Sequence, residues 1–147
     1  MTVRGGEKLK RFIRQAKAAE GSAKKRIQVG FFSTAKYLDG TPVTNVAAVN
    51  EFGNYRIPSR PFFRNALVDM PERLNEVAQK NIDSKIMAID EKTANRLGLA
   101  AQDLVQRHIT ILKDPAKSEA TLKKDPKKDN PLIFTGFMRL SVTYKID

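Results

Sequence analysis

Cysteine is absent from the 147 residues, which excludes disulfide staples, thiolate metal sites and cysteine nucleophiles. Histidine occurs once, at His108, so a histidine-rich metal site and most histidine-based catalysis lack the side chains they need. Long apolar runs are missing too. No stretch approaches the roughly 18 to 20 residues of a membrane span, and the basic N-terminus is not followed by the apolar core of a signal peptide. The chain is therefore expected in the cytoplasm, or in an assembly built there, without membrane contact. The motifs GxxxxGKS/T, GxGxxG, GxSxG and HExxH are also lacking, and Gly5-Gly6 is no more than a flexible start. No enzyme reading has named residues behind it, and no cofactor is called for.

What is present is a globular composition carrying an unusual charge. Apolar residues make up 41% and charged residues 29%, ordinary values for a chain that folds. The length suits one domain, hiding about two-thirds of the extended chain's surface. The net charge of +11 is unevenly placed. Residues 1–26 hold nine Lys/Arg against two Glu, and residues 113–128 hold six Lys against three acids, so the rest of the chain is near neutral. Such a distribution favours contact with a polyanion or an acidic partner and says little about fold.

Leu9, Phe12, Ile13, Ala16 and Ala19 fall at helical spacing over residues 5–20, and Gly21-Ser22 closes that helix. A strand is predicted over Arg26–Ser33, where Ile27, Val29 and Phe31 alternate with Gln28 and Gly30. Asp39-Gly40 and Pro42 mark a turn. Thr44 or Asn45 is expected to cap a short helix reaching about Phe52, with Val46, Val49 and Phe52 on one face and Gly53 as its left-handed cap. Pro58 and Pro61 force Ile57 and Arg60 to be extended, and Pro61 suits the first position of a helix. Leu74, Ala78, Ile82, Ile86 and Ile89 predict an amphipathic helix over roughly 71–88, after Pro71. Asp90 is expected to cap a further helix over roughly 91–112, with Leu97, Ala101, Leu104, His108 and Ile111 on one stripe. On that stripe His108 reads as a packed histidine, and Asp90 and Glu91 as cap and dipole compensation. Residues 113–130 read as a solvated, mobile basic loop with at most one helical turn near Ala120. Leu140, Val142, Tyr144 and Ile146 alternate as a closing strand. The sum is an α+β domain: a small mixed or antiparallel sheet packed against long amphipathic helices, spanning 27–147 behind a basic arm of residues 1–26.

The segment VNEFGNYRIPSRPFF stands out. Phe62 and Phe63 project about 100° apart on a helix, so either both enter the core or one packs inside while the other meets a neighbour. At these residues the chain resembles phage tail-completion and head–tail joining proteins, among them tail-component proteins related to the lambda minor tail protein Z. The resemblance is carried by Tyr37, Asp39, Gly40 and Thr41, then Asn50, Glu51, Phe52 and Gly53. Ile57, Pro58, Arg60, Pro61, Phe62 and Phe63 follow, and near the end Pro131, Leu132, Ile133, Thr135, Gly136, Met138 and Ser141. These blocks keep their order from about Ile27 to Ile146. Phe134 departs from the pattern, which has an acid before Thr-Gly, and the first 26 residues inherit nothing from it.

The resemblance implies a structural protein of the virion neck, present in the host cytoplasm during assembly. It implies a ring, expected to be hexameric, that completes the head-proximal end of the tail between the tail terminator or tail tube and the head connector. It supplies no catalytic residues. The strip Arg56, Ile57, Pro58, Arg60, Pro61, Phe62, Phe63 and Arg64 is expected at an interface, with Arg60 and Arg64 offering guanidinium forks to partner carboxylates. Lys8, Lys10, Arg11, Arg14, Lys17, Lys24, Lys25 and Arg26 are the candidate polyanion contacts, facing an acidic ring or DNA in the channel. The alternative reading is a basic nucleic-acid-binding protein that contacts DNA phosphates without base specificity.

Overall fold

Two strands of the domain, one early and one at the end, pair with each other. Strand β1 (Ile27–Phe31) runs antiparallel to β2 (Val142–Ile146), with Ile27 opposite Ile146 and Phe31 opposite Val142. Arg26 and Asp147 extend the ladder by exchanging backbone hydrogen bonds at 2.9 Å. The computed structural model describes residues 7, 10–14, 16–17, 25–32, 34–81, 89–124, 126, 129–133 and 135–147. Between the strands lie α1 (Val43–Phe52), α2 (Phe62–Asn81), α3 (Glu91–Ile111), the short α4 (Glu119–Lys124) and the single turn α5 (Phe137–Leu140). The result is an α+β domain in which a two-stranded antiparallel sheet packs on long helices. No helix among the described residues is long and apolar enough to cross a membrane.

Helix α3 is the spine. Asp90 caps it as predicted, its carboxylate accepting the Thr93 N–H at 2.7 Å. The helix packs against α2, both strands and α5, so it buries a wide arc that includes Ala94, Leu97, Ala101, Leu104, Val105 and Ile109. The Tyr144 ring of β2 lies directly on Gly98, where a methyl group would collide with it, and the Tyr144 hydroxyl donates to Asn95 Oδ1 at 3.0 Å. Asn130 closes the far end of α3. Its amide donates to the Thr110 carbonyl at 2.6 Å while its Oδ1 accepts from Leu132 and Ile133, so one side chain satisfies an orphan helix carbonyl and aims the next segment.

Several expectations need correction. Helix α1 begins at Val43 with Pro42 as its cap, ahead of Thr44 and Asn45. Its buried face is Val43, Ala47 and Glu51, which turns Phe52 outward to 70% exposure. Helix α2 does not restart at Pro71 but runs through it. Pro71 and the exposed Leu67 one turn earlier lie on the open side of the helix, where water can take the Leu67 carbonyl that the proline leaves without a donor. The predicted continuation through Ile82 and Ile86 lies outside the described residues. On α3 the predicted stripe is buried at Leu97, Ala101 and Leu104 and nearly so at His108, while Ile111 at the last turn is exposed and Val105 and Ile109 widen the buried arc. His108 stays mostly buried and joins α3 to α2 through Asp69 Oδ2, 2.9 Å from Nε2. Leu140 belongs to α5 and is exposed, because Gly136 in a left-handed conformation opens a turn before the closing strand.

Candidate functional site

The run Asn50–Gly53 at the end of α1 gives each residue a different task. Asn50 accepts from the Arg60 backbone N–H through its carbonyl at 2.6 Å, and from the Arg60 guanidinium through Oδ1 at 3.3 Å. Glu51 is buried and acts as the missing cap of α2: its two carboxylate oxygens accept the N–H groups of Phe63 at 2.9 Å and Arg64 at 3.2 Å. A negative charge at a helix N-terminus is favoured by the unpaired donors there. Arg64 folds back onto the same carboxylate, with Nε 2.8 Å from Oε1. Phe52 faces solvent with the Arg64 guanidinium over its ring. Gly53 has φ of 75°, and a Cβ there would stand 2.7 Å from the Ser59 nitrogen and 2.9 Å from the Ile57 carbonyl, so the turn requires glycine.

From this base the chain forms a tightly bonded loop. Asn54 accepts the N–H groups of Arg56 and Ile57 on its side-chain oxygen and donates its own N–H to the Ile57 carbonyl, all within 2.9 Å. Ser59 Oγ donates to the Glu51 carbonyl at 2.7 Å. Arg60 is only 7% exposed. Its Nε and Nη2 donate to the carbonyls of Pro115 at 2.8 Å and Ala116 at 2.9 Å. Burial lowers the Arg60 pKa from its ordinary value; a guanidinium so far above neutrality stays charged.

The predicted strip is therefore divided. Phe62 is fully buried, edge-on to Phe31, and Phe63 packs half-buried against the same core. Arg60 does not present a fork to a partner in this chain, because two backbone carbonyls and Asn50 occupy it; Arg64 is largely occupied by Glu51 and Ser59. What the loop displays is Tyr55 at 88% exposure, with the Arg56 guanidinium 4.9 Å over its ring, and Pro58. Ile57 and Pro61 are half-buried. Tyr55 and Phe52 were missed by the sequence argument, which looked inside the proline bracket; the bend Gly53-Asn54 just before it was the available signal.

A second feature lies on the other side of Asn50. A groove of about 710 Å³ is lined by Tyr37, Asp39, Val46, Asn50, Leu132, Phe137 and Met138 among others. Residues from the first and last blocks of the resemblance meet there, with the Tyr37 and Phe137 rings 5.3 Å apart, while the block Ile57–Phe63 does not line it. Thr41 N–H donates to Asp39 Oδ1, which holds the Asp39 carboxyl below its ordinary range. Burial pushes the Tyr37 phenol up, and the Asp39 charge adds to that. The turn carries Leu38 fully exposed at the groove's rim.

The charged ends are more open. Lys10, Arg11, Arg14 and Lys17 lie exposed on a helical segment that also exposes Phe12 and Ile13. Lys25 is half-buried, Arg26 is exposed beside β1, and Lys8 and Lys24 lie outside the described residues. In the basic segment 113–130, the helical turn at Ala120 is present as α4, while residues 115 and 116 are fastened to Arg60. The arrangement as a whole is suited to recognition: exposed aromatics, guanidinium groups and an apolar groove on a hydrogen-bonded frame. The chain matches no family model, no curated protein and no solved structure.

Proposed function

We propose that this protein is a structural component of a phage-type tail or neck. It would assemble as a ring, expected to be hexameric, that completes the head-proximal end of the tail. Its neighbours would be the tail terminator or tail tube on one side and the head connector on the other. One observation carries this reading beyond the resemblance of the three blocks. The chain immobilises the loop at 53–61 with a dense set of internal hydrogen bonds, yet that loop's tip, Tyr55 and Arg56, contacts little of the chain itself. Order without internal benefit at the tip is what a preorganised docking element needs, since the ordering entropy is already lost before a partner arrives. Aromatic and arginine side chains are also the commonest anchors of protein interfaces.

The test is assembly. A Tyr55→Ala, Arg56→Glu double variant is expected to fold normally, because neither side chain supports the core, but to fail to enter rings or tail-type particles seen by electron microscopy. Normal incorporation of that variant would overturn the interface role. A wild-type chain that stays monomeric when concentrated and is absent from such particles would overturn the whole reading.

The nucleic-acid alternative has one observation in its favour, the exposed row Lys10, Arg11, Arg14 and Lys17 on a helical segment. It predicts retention of duplex DNA by the purified protein with a steep loss as salt rises. Retention that survives in a variant with these four residues changed to Ser would count against it.

A further inference from the structure

The loop tip is one end of a larger face. Arg64 bonds to Ser59 Oγ at 3.2 Å and lies over the Phe52 ring, which joins the loop to the start of α2. One helical turn on, Val68 is 78% exposed on the same side of α2 as Arg64, opposite the buried Phe62, Ala66 and Met70. Phe52, Tyr55 and Val68 are thus exposed apolar side chains that each neighbour an arginine, Arg64 for Phe52 and Val68 and Arg56 for Tyr55.

We propose that this face, made of Phe52, Tyr55, Arg56, Arg64 and Val68, docks an acidic protein segment that also carries apolar side chains. The inference rests on the reading of the chain as an assembly component, and it names the chemistry of the partner. Charge complementarity carries it. Arg56 meets no carboxylate among the described residues, and its guanidinium is held only over the Tyr55 ring. Glu51 is buried and pairs with Arg64 while capping α2, so it offsets the Arg64 charge and leaves Arg56 as the unneutralised cation of the face. Arg64 uses Nε and Nη2 internally, which leaves Nη1 for a carboxylate. The next acid along this side of α2 is Glu72, two turns beyond Arg64, so carboxylates of the docked segment are favoured at the loop end, near Arg56. A duplex would satisfy the arginines through its phosphates, but its bases are stacked inside and leave Phe52 and Val68 uncovered; an unpaired strand could stack on the two rings and is separated by the oligonucleotide arm of the test. The protein's net charge of +11 would further speed the encounter with an acidic partner.

The probes are a labelled synthetic amphipathic peptide of glutamate and leucine, its lysine–leucine counterpart, and single- and double-stranded oligonucleotides, titrated against the full chain by fluorescence anisotropy. The glutamate–leucine peptide is expected to bind and to weaken as salt is added. Tyr55→Ala and Arg56→Glu should each raise its Kd by about tenfold or more, the scale of a lost interface anchor, while Arg56→Lys retains part of the affinity. The melting temperature should stay at the wild-type value in all three. The proposal is overturned if the glutamate–leucine peptide does not bind, if the lysine–leucine peptide binds equally, or if the variants leave binding unchanged. Oligonucleotide binding that Arg56→Glu abolishes would assign the face to nucleic acid. Self-association by light scattering that Tyr55→Ala abolishes would assign it to a second copy. If the peptide fails while the chain still enters rings or particles, this inference falls and the assembly reading stands; if the peptide binds and no assembly ever forms, the reverse holds.

Discussion

Helices α2 and α3 are nearly equal in length, 20 and 21 residues, yet α3 buries nine residues and α2 buries three. The difference lies in what surrounds them. α3 is covered by α2 on one side and by the sheet and α5 on others, so about half of its circumference is enclosed and, in its middle turns, only the stripe Arg96, Leu99, Asp103 and Arg107 stays open. α2 leans on α3 and leaves its outer side to water, with Val68, Pro71 and Glu72 in the open. Its N-terminus is nevertheless densely bonded, through Glu51, Arg64 and the loop before it. One helix holds the fold, and the other is pinned at its start and bare along its flank.

Substitutions should separate the two by magnitude. Ile109→Ala, at a position with no exposure, should cost about 3–4 kcal/mol in denaturant unfolding. Val68→Ala on the bare side of α2 should stay within about 0.5 kcal/mol. Equal losses at the two sites would erase the contrast. Glu51→Ala comes next, at roughly 2–4 kcal/mol. It leaves two helix-start N–H groups and half of an ion pair without their acceptor, and the half-exposed Arg64 keeps the loss below that of a fully buried pair. A loss under about 1 kcal/mol would mean that water replaces the carboxylate and that the knot is not what pins α2.

Much of this contrast was readable in the sequence, and the part that was not has a physical cause. The strands at Ile27 and Val142, the Asp90 cap and the extent of α3 follow from period and capping chemistry, which are local. The buried face of α1 is offset by about one position from the apolar period, because periodicity does not say which direction is covered; Phe52, and Ile111 at the end of α3, look like core residues and are not. The strip at 56–64 was recognised as special for its prolines and arginines, but which side chains point inward depends on partners 55 and 56 residues away, the carbonyls of Pro115 and Ala116. No local rule supplies such a contact. Glu51 was similarly hidden, since a carboxylate at the end of one helix gives no sign that it caps the next. The groove at Tyr37 and Phe137 brings together segments about a hundred residues apart.

Pro71 offers a change of the opposite sign. A proline inside a helix costs about 3 kcal/mol relative to alanine. Here the exposed setting of Leu67 lets water offset part of that, and the proline also restricts the unfolded chain. Pro71→Ala should therefore stabilise by about 1–2 kcal/mol, read as a higher denaturation midpoint. A destabilised variant would show that the proline is needed to shape α2, and the view of its outer side as structurally idle would fail.

The smallest effect should appear only with pH, at the start of α3. The Asp90 carboxyl lies below its ordinary value of 3.8, chiefly because the Thr93 hydroxyl and N–H donate to it, with Lys25 and Lys92 adding a little. A carboxyl that binds its proton more weakly in the folded state stabilises that state while ionised. Its contribution is therefore complete above the unfolded value and is lost as pH falls through the lower, folded one. Asp90→Asn keeps a competent cap but has no proton to take up. Wild type should exceed the variant slightly near neutrality, and their denaturation midpoints should converge as pH drops below the ordinary carboxylate range. Asp39, also shifted down by Thr41, remains in both proteins and gives them a shared slope. Parallel curves across the whole range would mean that the charge at this cap does nothing for α3, and that the better-buried helix owes its stability to packing alone.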